Sequence, residues 1–187
     1  SNTLYYLFCI FLNIFITYIK KYLLSVKQQL DHIHILTLLH RCSKYNIDFE
    51  DIMEWNVLLE AFVKSSVSFN SQSLANSLFV LHHIYKPKNE LRLTTYLEIV
   101  YQKIKTSNIN YLNAQAIGMC LYGLQKFDDQ PIVLKLLALI TTMIDIPNSL
   151  KENHITDHLS GLEISNAIYG LQNMSAESKE VKNLLYA

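Results

Sequence analysis

A chain of 187 residues is long enough for one domain with a substantial buried core, or for one stretch of a repeat array. Half of its residues are hydrophobic, 17% are charged, and glycine and proline are scarce at four and three residues, which excludes disorder, collagen-like structure and a turn-rich β-sandwich. Sixteen basic residues balance sixteen acidic ones, so no global field draws the chain to nucleic acid, to an anionic membrane or to an acidic substrate.

The first predicted element is a hydrophobic N-terminal helix or cap within residues 1–30. Leu4–Ile19 is apolar and aromatic, broken by Asn13 and Thr17, and is followed by Lys20 and Lys21. It falls short of the ~20 residues a helix needs to cross a bilayer, and it lacks the basic start and small-residue cleavage site of a signal peptide. A buried helix is expected there, with membrane contact through residues 4–19 as the alternative, because a helix that is hydrophobic all round must be covered by something.

Two kinds of amphipathic stretch then alternate. Apolar residues at i, i+4 and i+7 mark one kind, as in Leu74, Leu78 and Leu81 or Ile117, Leu121 and Leu124. The other kind spans Ile52–Val63, Leu91–Ile104, Ile132–Ile144 and Val181 to the end. Lys86-Pro87-Lys88-Asn89, Asp128-Asp129-Gln130-Pro131 and Ser175-Ala176-Glu177 are turns that lead from the first kind into the second, with Pro, Ser or acidic residues where helix N-termini favour them. Asn108–Asn110 and Ile146–Asp157 lead back. Val181–Ala187 reads as a helix without a stop after it, so a fragment of a longer protein is expected.

A repeat emerges on sliding the sequence along itself. Residues 112–127 (LNAQAIGMCLYGLQKF) fall on 159–174 (LSGLEISNAIYGLQNM) at a step of 47, with Leu112, Ile117, Tyr122, Gly123, Leu124 and Gln125 meeting identical residues. They fall on 69–84 (FNSQSLANSLFVLHHI) at a step of 43, where Asn70, Gln72, Leu78 and Leu81 have identical counterparts and Phe79 stands for Tyr122. A fainter copy lies around Leu38–Cys42, at a step of 42 or 39. Helical hairpins of this length cannot bury both faces alone, so they must stack. The expected fold is all-α, an α-solenoid of about four hairpins of 42–47 residues, over 31–66, 67–107, 108–146 and a truncated 158–187.

The glycines within YGLQ are costly in a helix interior, by ~1 kcal/mol relative to alanine. Paired with Cys120 and Ala167 at i, i+3, Gly123 and Gly170 predict small-residue faces where a neighbouring helix approaches closely. Leu78, Leu81, Leu121, Tyr122, Gly123, Leu124, Ile168, Tyr169, Gly170 and Leu171 are the expected packing positions between copies.

The pattern in Ala75-Asn76-Ser77-Leu78-Phe79-Val80-Leu81 and Ser165-Asn166-Ala167-Ile168-Tyr169-Gly170-Leu171 resembles the helical-hairpin repeats of octotricopeptide and heptatricopeptide proteins of organelles. It is also similar to the repeat-built type III effectors of plant-pathogenic bacteria. The resemblance covers about residues 30–187 and rests on two or three positions per repeat. It implies a superhelical array that binds single-stranded RNA in the organellar proteins, or one that acts inside a host cell in the effectors. The neutral charge and the want of a basic C-terminal domain depart from the RNA-binding members.

No constellation points to catalysis. GxGxxG, P-loop, GxSxG and CxxC motifs are absent from the sequence. His154 and His158 are at i, i+4 without the glutamate of HExxH, and His32, His34, His40 and Cys42 include pairs two apart that point to different helix faces, so no metal or cofactor is expected. Asp128-Asp129 and Glu50-Asp51 suit helix N-termini. Cys9, Cys42 and Cys120 are odd in number and set in apolar sequence, which predicts reduced thiols in a reducing intracellular compartment such as cytoplasm, host cytoplasm or organelle matrix. The sequon Asn173-Met174-Ser175 is short enough to arise by chance.

Function is therefore expected on recurring polar positions of one surface: Asn76, His82, His83, Gln115, Gln125, Lys126, Asn166, Gln172 and Asn173. Amide side chains both donate and accept hydrogen bonds, which suits a peptide backbone or base edges. The expected role is a non-enzymatic scaffold for a protein or peptide partner, as in an effector-type protein, with single-stranded RNA as the alternative and no small-molecule substrate.

Overall fold

The computed structural model describes residues 21, 31–44, 55–144 and 160–186. All regular elements among them are helical, so the chain is all-α. Leu4–Ile19, Glu50-Asp51, the Ile146–Asp157 connection, His154 and His158 lie outside the described residues. Among the described residues no helix is long and apolar enough to cross a membrane.

The chain divides into two compact units, residues 1–67 and 68–187. In the first unit α1 (His32–Lys44) packs on α2 (Trp55–Lys64). Ile35, Leu36 and Leu39 of α1 and Leu58, Ala61 and Phe62 of α2 are buried, the i, i+4 spacing of Ile35 and Leu39 putting both on one face. Asp31 starts α1 by accepting the His34 amide at 2.9 Å. His32 is buried, with its ring edge-on to Phe62 and Nδ1 2.9 Å from Ser65 Oγ. That nitrogen is occupied by a structural contact.

The second unit contains α3 (Ser71–Ile84), a 3-10 turn (Pro87–Asn89), α4 (Glu90–Thr106), α5 (Ala114–Leu124), α6 (Pro131–Ile144), α7 (Gly161–Gly170) and α8 (Lys179–Tyr186). Its helices pack in two series. α3 lies on α5 and α5 on α7, while α4 lies on α6 and α6 on α8. Members of a consecutive pair also touch, α3 with α4 and α5 with α6.

The starts of α3, α5 and α7 explain why the same sequence positions become helix each time. Asn70 Oδ1 accepts the Ser73 amide and Asn113 Oδ1 the Ala116 amide, both at 2.9 Å. Ser160 stands at the equivalent place, in a reciprocal capping box with Glu163. Each cap satisfies an amide that the helix cannot pair internally, worth ~1 kcal/mol. The α3–α4 turn is closed by buried Asn89, whose Oδ1 accepts from the Lys86 amide and whose Nδ2 donates to the Ile84 carbonyl, each at 2.9 Å.

Between the two series lies a core of Ile84, Leu93, Tyr96, Leu97, Val100, Ile132, Leu136, Leu137 and Ile140. Tyr96 is wholly enclosed and donates its hydroxyl to the Ser77 carbonyl at 3.2 Å. Ser77 in turn donates to the Ser73 carbonyl at 2.6 Å, so neither hydroxyl is buried without a partner.

Two glycines govern the α3–α5–α7 series. A Cβ placed on Gly123 would overlap the Leu78 carbonyl and stand 2.7 Å from the Phe79 nitrogen. One on Gly170 would overlap the Leu121 carbonyl and stand 2.7 Å from the Tyr122 nitrogen. Backbone, rather than a movable side chain, occupies the space in both cases. Gly118 differs, since a Cβ there would meet Glu163 at an ordinary 3.4 Å. Gly123→Ala and Gly170→Ala are therefore expected to lower the melting temperature, and the leucine variants to lower it by roughly 10 °C or more, as overpacking of several kcal/mol against backbone does. Gly118→Ala, which gains up to ~1 kcal/mol of helix propensity, is expected to leave melting unchanged or raise it. Thermal unfolding followed by circular dichroism separates the outcomes; equal melting of all variants would refute the backbone-contact account.

Candidate functional site

Positions at i, i+4, i+7 and i+11 of a helix share one side. On α3 these are Gln72, Asn76, Phe79 and His83; on α5, Gln115, Met119 and Tyr122, followed by Lys126 two residues past its end; on α7, Leu162, Asn166 and Tyr169, followed by Asn173 three residues past its end. All twelve are exposed or half-buried, and the glycine contacts set the three helices side by side in the same register. The result is a lateral face with no carboxylate at these positions.

Aromatic rings run through its middle. Phe79 stacks on Tyr122 with centroids 5.8 Å apart and planes 26° apart, and Tyr122 on Tyr169 at 6.3 Å and 24°. Offset stacking of this kind adds ~0.5–1.5 kcal/mol per pair beyond the area buried. Amides flank the column on one side, where Gln72 Nε2 donates to Asn76 Oδ1 at 2.9 Å. His83, Lys126 and Asn173 flank it on the other, with the His83 ring edge-on to Phe79 at 5.3 Å.

Behind Tyr122 lies a more enclosed polar contact. His82 packs against the Tyr122 ring at 4.3 Å, and its Nε2 shares a hydrogen bond of 3.1 Å with the Tyr122 hydroxyl. His82 Nδ1 and Gln125 Oε1 are buried and meet no partner in hydrogen-bond geometry. Burial, followed by the nearby charges of Lys126 and His83, pushes the His82 pKa below its ordinary 6.5, with the Gln125 side chain opposing the shift.

Six of the nine polar residues expected on a common surface lie on this face: Asn76, His83, Gln115, Lys126, Asn166 and Asn173. His82 instead sits at the α3–α5 contact. Gln125 is a correction, being only 4% exposed. Its carbonyl accepts from Asn173 Nδ2 at 2.8 Å, so α7 covers it. Gln172, its equivalent one helix later, is exposed. Among the packing positions Leu78, Leu81, Leu121, Gly123, Leu124 and Gly170 are buried, and Tyr122 and Leu171 half-buried. Ile168 is exposed, against expectation, at 62%, and Tyr169 is 52% exposed while its ring stacks on Tyr122. Their helix packs its glycine side on α5 and leaves the Ile168 side chain uncovered.

Phe79 and Met119 belong to the face although polarity alone did not single them out. The signal was available in the repeat alignment, where Phe79 falls on Tyr122 and Tyr122 on Tyr169. Asp129 also does more than favour a helix start: its Oδ1 accepts from the Ser175 amide at 3.0 Å and its Oδ2 from Ser178 Oγ at 2.8 Å. Cys120 is enclosed, and burial pushes its thiol pKa far up, away from the thiolate that reactivity requires. Among the described residues no group of three or more His, Cys, Asp and Glu side chains could hold a metal.

Since His82 has a lower pKa folded than unfolded, the unfolded chain binds the extra proton first, and stability falls as pH drops below about 6.5. The melting temperature is expected to decline from about pH 7 to pH 5.5, and to decline less in His82→Gln. An identical slope in the variant would remove His82 from the acid response. Comparison with protein-family models, with curated proteins and with solved structures finds no match to this chain.

Proposed function

We propose that residues 68–187 are a stretch of an α-solenoid, built of helical-hairpin repeats, that serves as a non-enzymatic scaffold and holds an extended protein or peptide segment along its lateral face. The observation that carries this reading is the Phe79–Tyr122–Tyr169 column in a face that offers amides on one side and His83 and Lys126 on the other. Successive helices present an aromatic residue at the same height, so an extended chain crossing them would meet one apolar ledge per hairpin. Its backbone would find donors and acceptors in Gln72, Asn76, Gln115 and Asn166. Acidic side chains of the partner would turn toward His83 and Lys126. Rings contribute contact area at low entropic cost, and amides adapt their hydrogen bonding.

The face is preformed, because its rings are held by stacking and by backbone contacts beneath them. Preorganisation of this kind reduces the ordering cost of association.

Panning the full chain against a random peptide library displayed on phage is expected to enrich extended, acidic-apolar sequences. Their affinity is expected to fall at least tenfold in the double variant His83→Glu/Lys126→Glu, ~1.4 kcal/mol, with melting unchanged because His83 is exposed and Lys126 half-buried. Binding that survives the double variant would place the partner elsewhere. Salt-sensitive retention of a random single-stranded RNA pool, with no peptide enriched, would transfer the face to nucleic acid.

A further inference from the structure

We propose that His82 is a proton-operated latch on the aromatic column. Neutral, it holds Tyr122 in line between Phe79 and Tyr169; protonated, it turns out to solvent and lets the Tyr122 ring leave that line while the helices stay in place.

The geometry centres on one ring. Among the described residues Tyr122 meets three rings, Phe79 at 5.8 Å, Tyr169 at 6.3 Å and His82 at 4.3 Å. His82 is the nearest of the three, and its Nε2 also holds the Tyr122 hydroxyl at 3.1 Å. Stacked rings tolerate a range of offsets, so the contact at the hydroxyl is what fixes where the Tyr122 ring stands.

A proton changes this arrangement. The neutral imidazole has one N–H and one acceptor nitrogen, while the cation donates from both. In the cation Nε2 donates to the Tyr122 oxygen, so the phenol proton must point elsewhere. Nδ1 carries its own N–H into a buried place where it meets no partner in hydrogen-bond geometry, and the buried oxygen Gln125 Oε1 is likewise unpartnered.

The groups that face His82 decide where the charge goes. From α3 comes His83, its ring edge-on at 5.1 Å; from α5 come Tyr122 and Gln125, and from just past its end Lys126. Burial, Lys126 and His83 all disfavour the cation, and the Gln125 side chain favours it. Among the described residues no carboxylate offsets them. One neutral acceptor against lost hydration and two groups of like charge leaves the packed cation unfavourable. His82 is half-buried rather than enclosed, so a side-chain rotation returns the imidazolium to water.

The helices are not carried along. Gly123 on the Leu78 carbonyl fixes α5 against α3, and the buried Leu78, Leu81, Leu121 and Leu124 around it involve no ionisable group. A histidine in water protonates around pH 6.5, and the packed ring resists protonation. The open latch therefore binds more protons than the closed one. Its share is constant well above that pH and rises as pH falls through it, by up to about tenfold per pH unit until the packed ring also titrates.

Any effect on a bound segment rests on the lateral face being a binding surface. The latch itself is read on the rings with no ligand present, so its failure and the failure of that reading are told apart. The full chain, labelled in its aromatic rings, is followed by NMR from about pH 7.5 to about pH 5. His82 is expected to titrate, and the Tyr122 contacts to Phe79 and Tyr169, seen as ring-to-ring NOEs, to weaken by about half or more with the same midpoint. Backbone amide signals of α4 and α6 are expected to stay in place. His82→Gln, which keeps a side-chain donor and carries no charge in this range, is expected to hold the Tyr122 contacts constant; in His83→Gln they are expected to weaken as in the parent. Undiminished Tyr122 contacts while His82 titrates overturn the proposal, as does a His82 that stays neutral throughout. Weakening that persists in His82→Gln or vanishes in His83→Gln gives the proton to another group and overturns it too. Loss of the α4 and α6 signals in step with Tyr122 would replace the latch by global unfolding.

Discussion

The second unit depends on the contact of a helix backbone with a side-chain-free position on the next helix. At Gly123 and Gly170 there is no room for even one carbon between the chains. Each glycine forfeits ~1 kcal/mol of helix propensity, and the return comes from what close approach brings together. Leu78, Leu81, Leu121 and Leu124 are almost completely buried around these contacts, and burying a leucine side chain contributes ~1.5–3 kcal/mol. The balance favours glycine by a wide margin. A larger residue would hold the backbones apart and loosen every leucine beside it.

That constraint also fixes the chemistry of the surface. The aromatic residue precedes the glycine in α5 and α7, so the step that seats the glycine sets the ring against its neighbour. Polar residues one turn away are drawn in as well. His82 is caught between Tyr122, Lys126 and Gln125, and Gln125 passes under the end of α7. Turn residues follow the same spacing, with Gln130 reaching Glu90 and Asp129 reaching Ser175 and Ser178. A contact between helix middles thereby sets the register of helix ends some turns away.

Much of this was legible in the sequence. The helices α4, α6 and α8 fall within about two residues of the stretches that apolar spacing marked, while α5 and α7 end three to five residues before the turns marked after them, because periodicity and capping are local properties. Gly123 and Gly170 stood out for a similarly local reason, as expensive residues inside apolar helical stripes. Burial of Gln125 was not legible, since it depends on where α7 crosses, nor was exposure of Ile168, which depends on what packs against α7. Identity at matched positions of α5 and α7 goes with the same helical conformation. It does not predict the same cover, because cover is supplied by the next element.

The spacing of matched positions along the chain shows which distances the packing needs. From α3 to α5 the equivalent positions are 43 apart, and from α5 to α7 they are 47 apart, yet the two interfaces have the same glycine contact and nearly the same ring geometry. Extra connecting length changes closure entropy only slowly, by ~0.6 kcal/mol per doubling, while a one-residue shift inside a helix would turn the glycine away from the carbonyl by about 100°. The interface is therefore specified by a few residues within one helix turn.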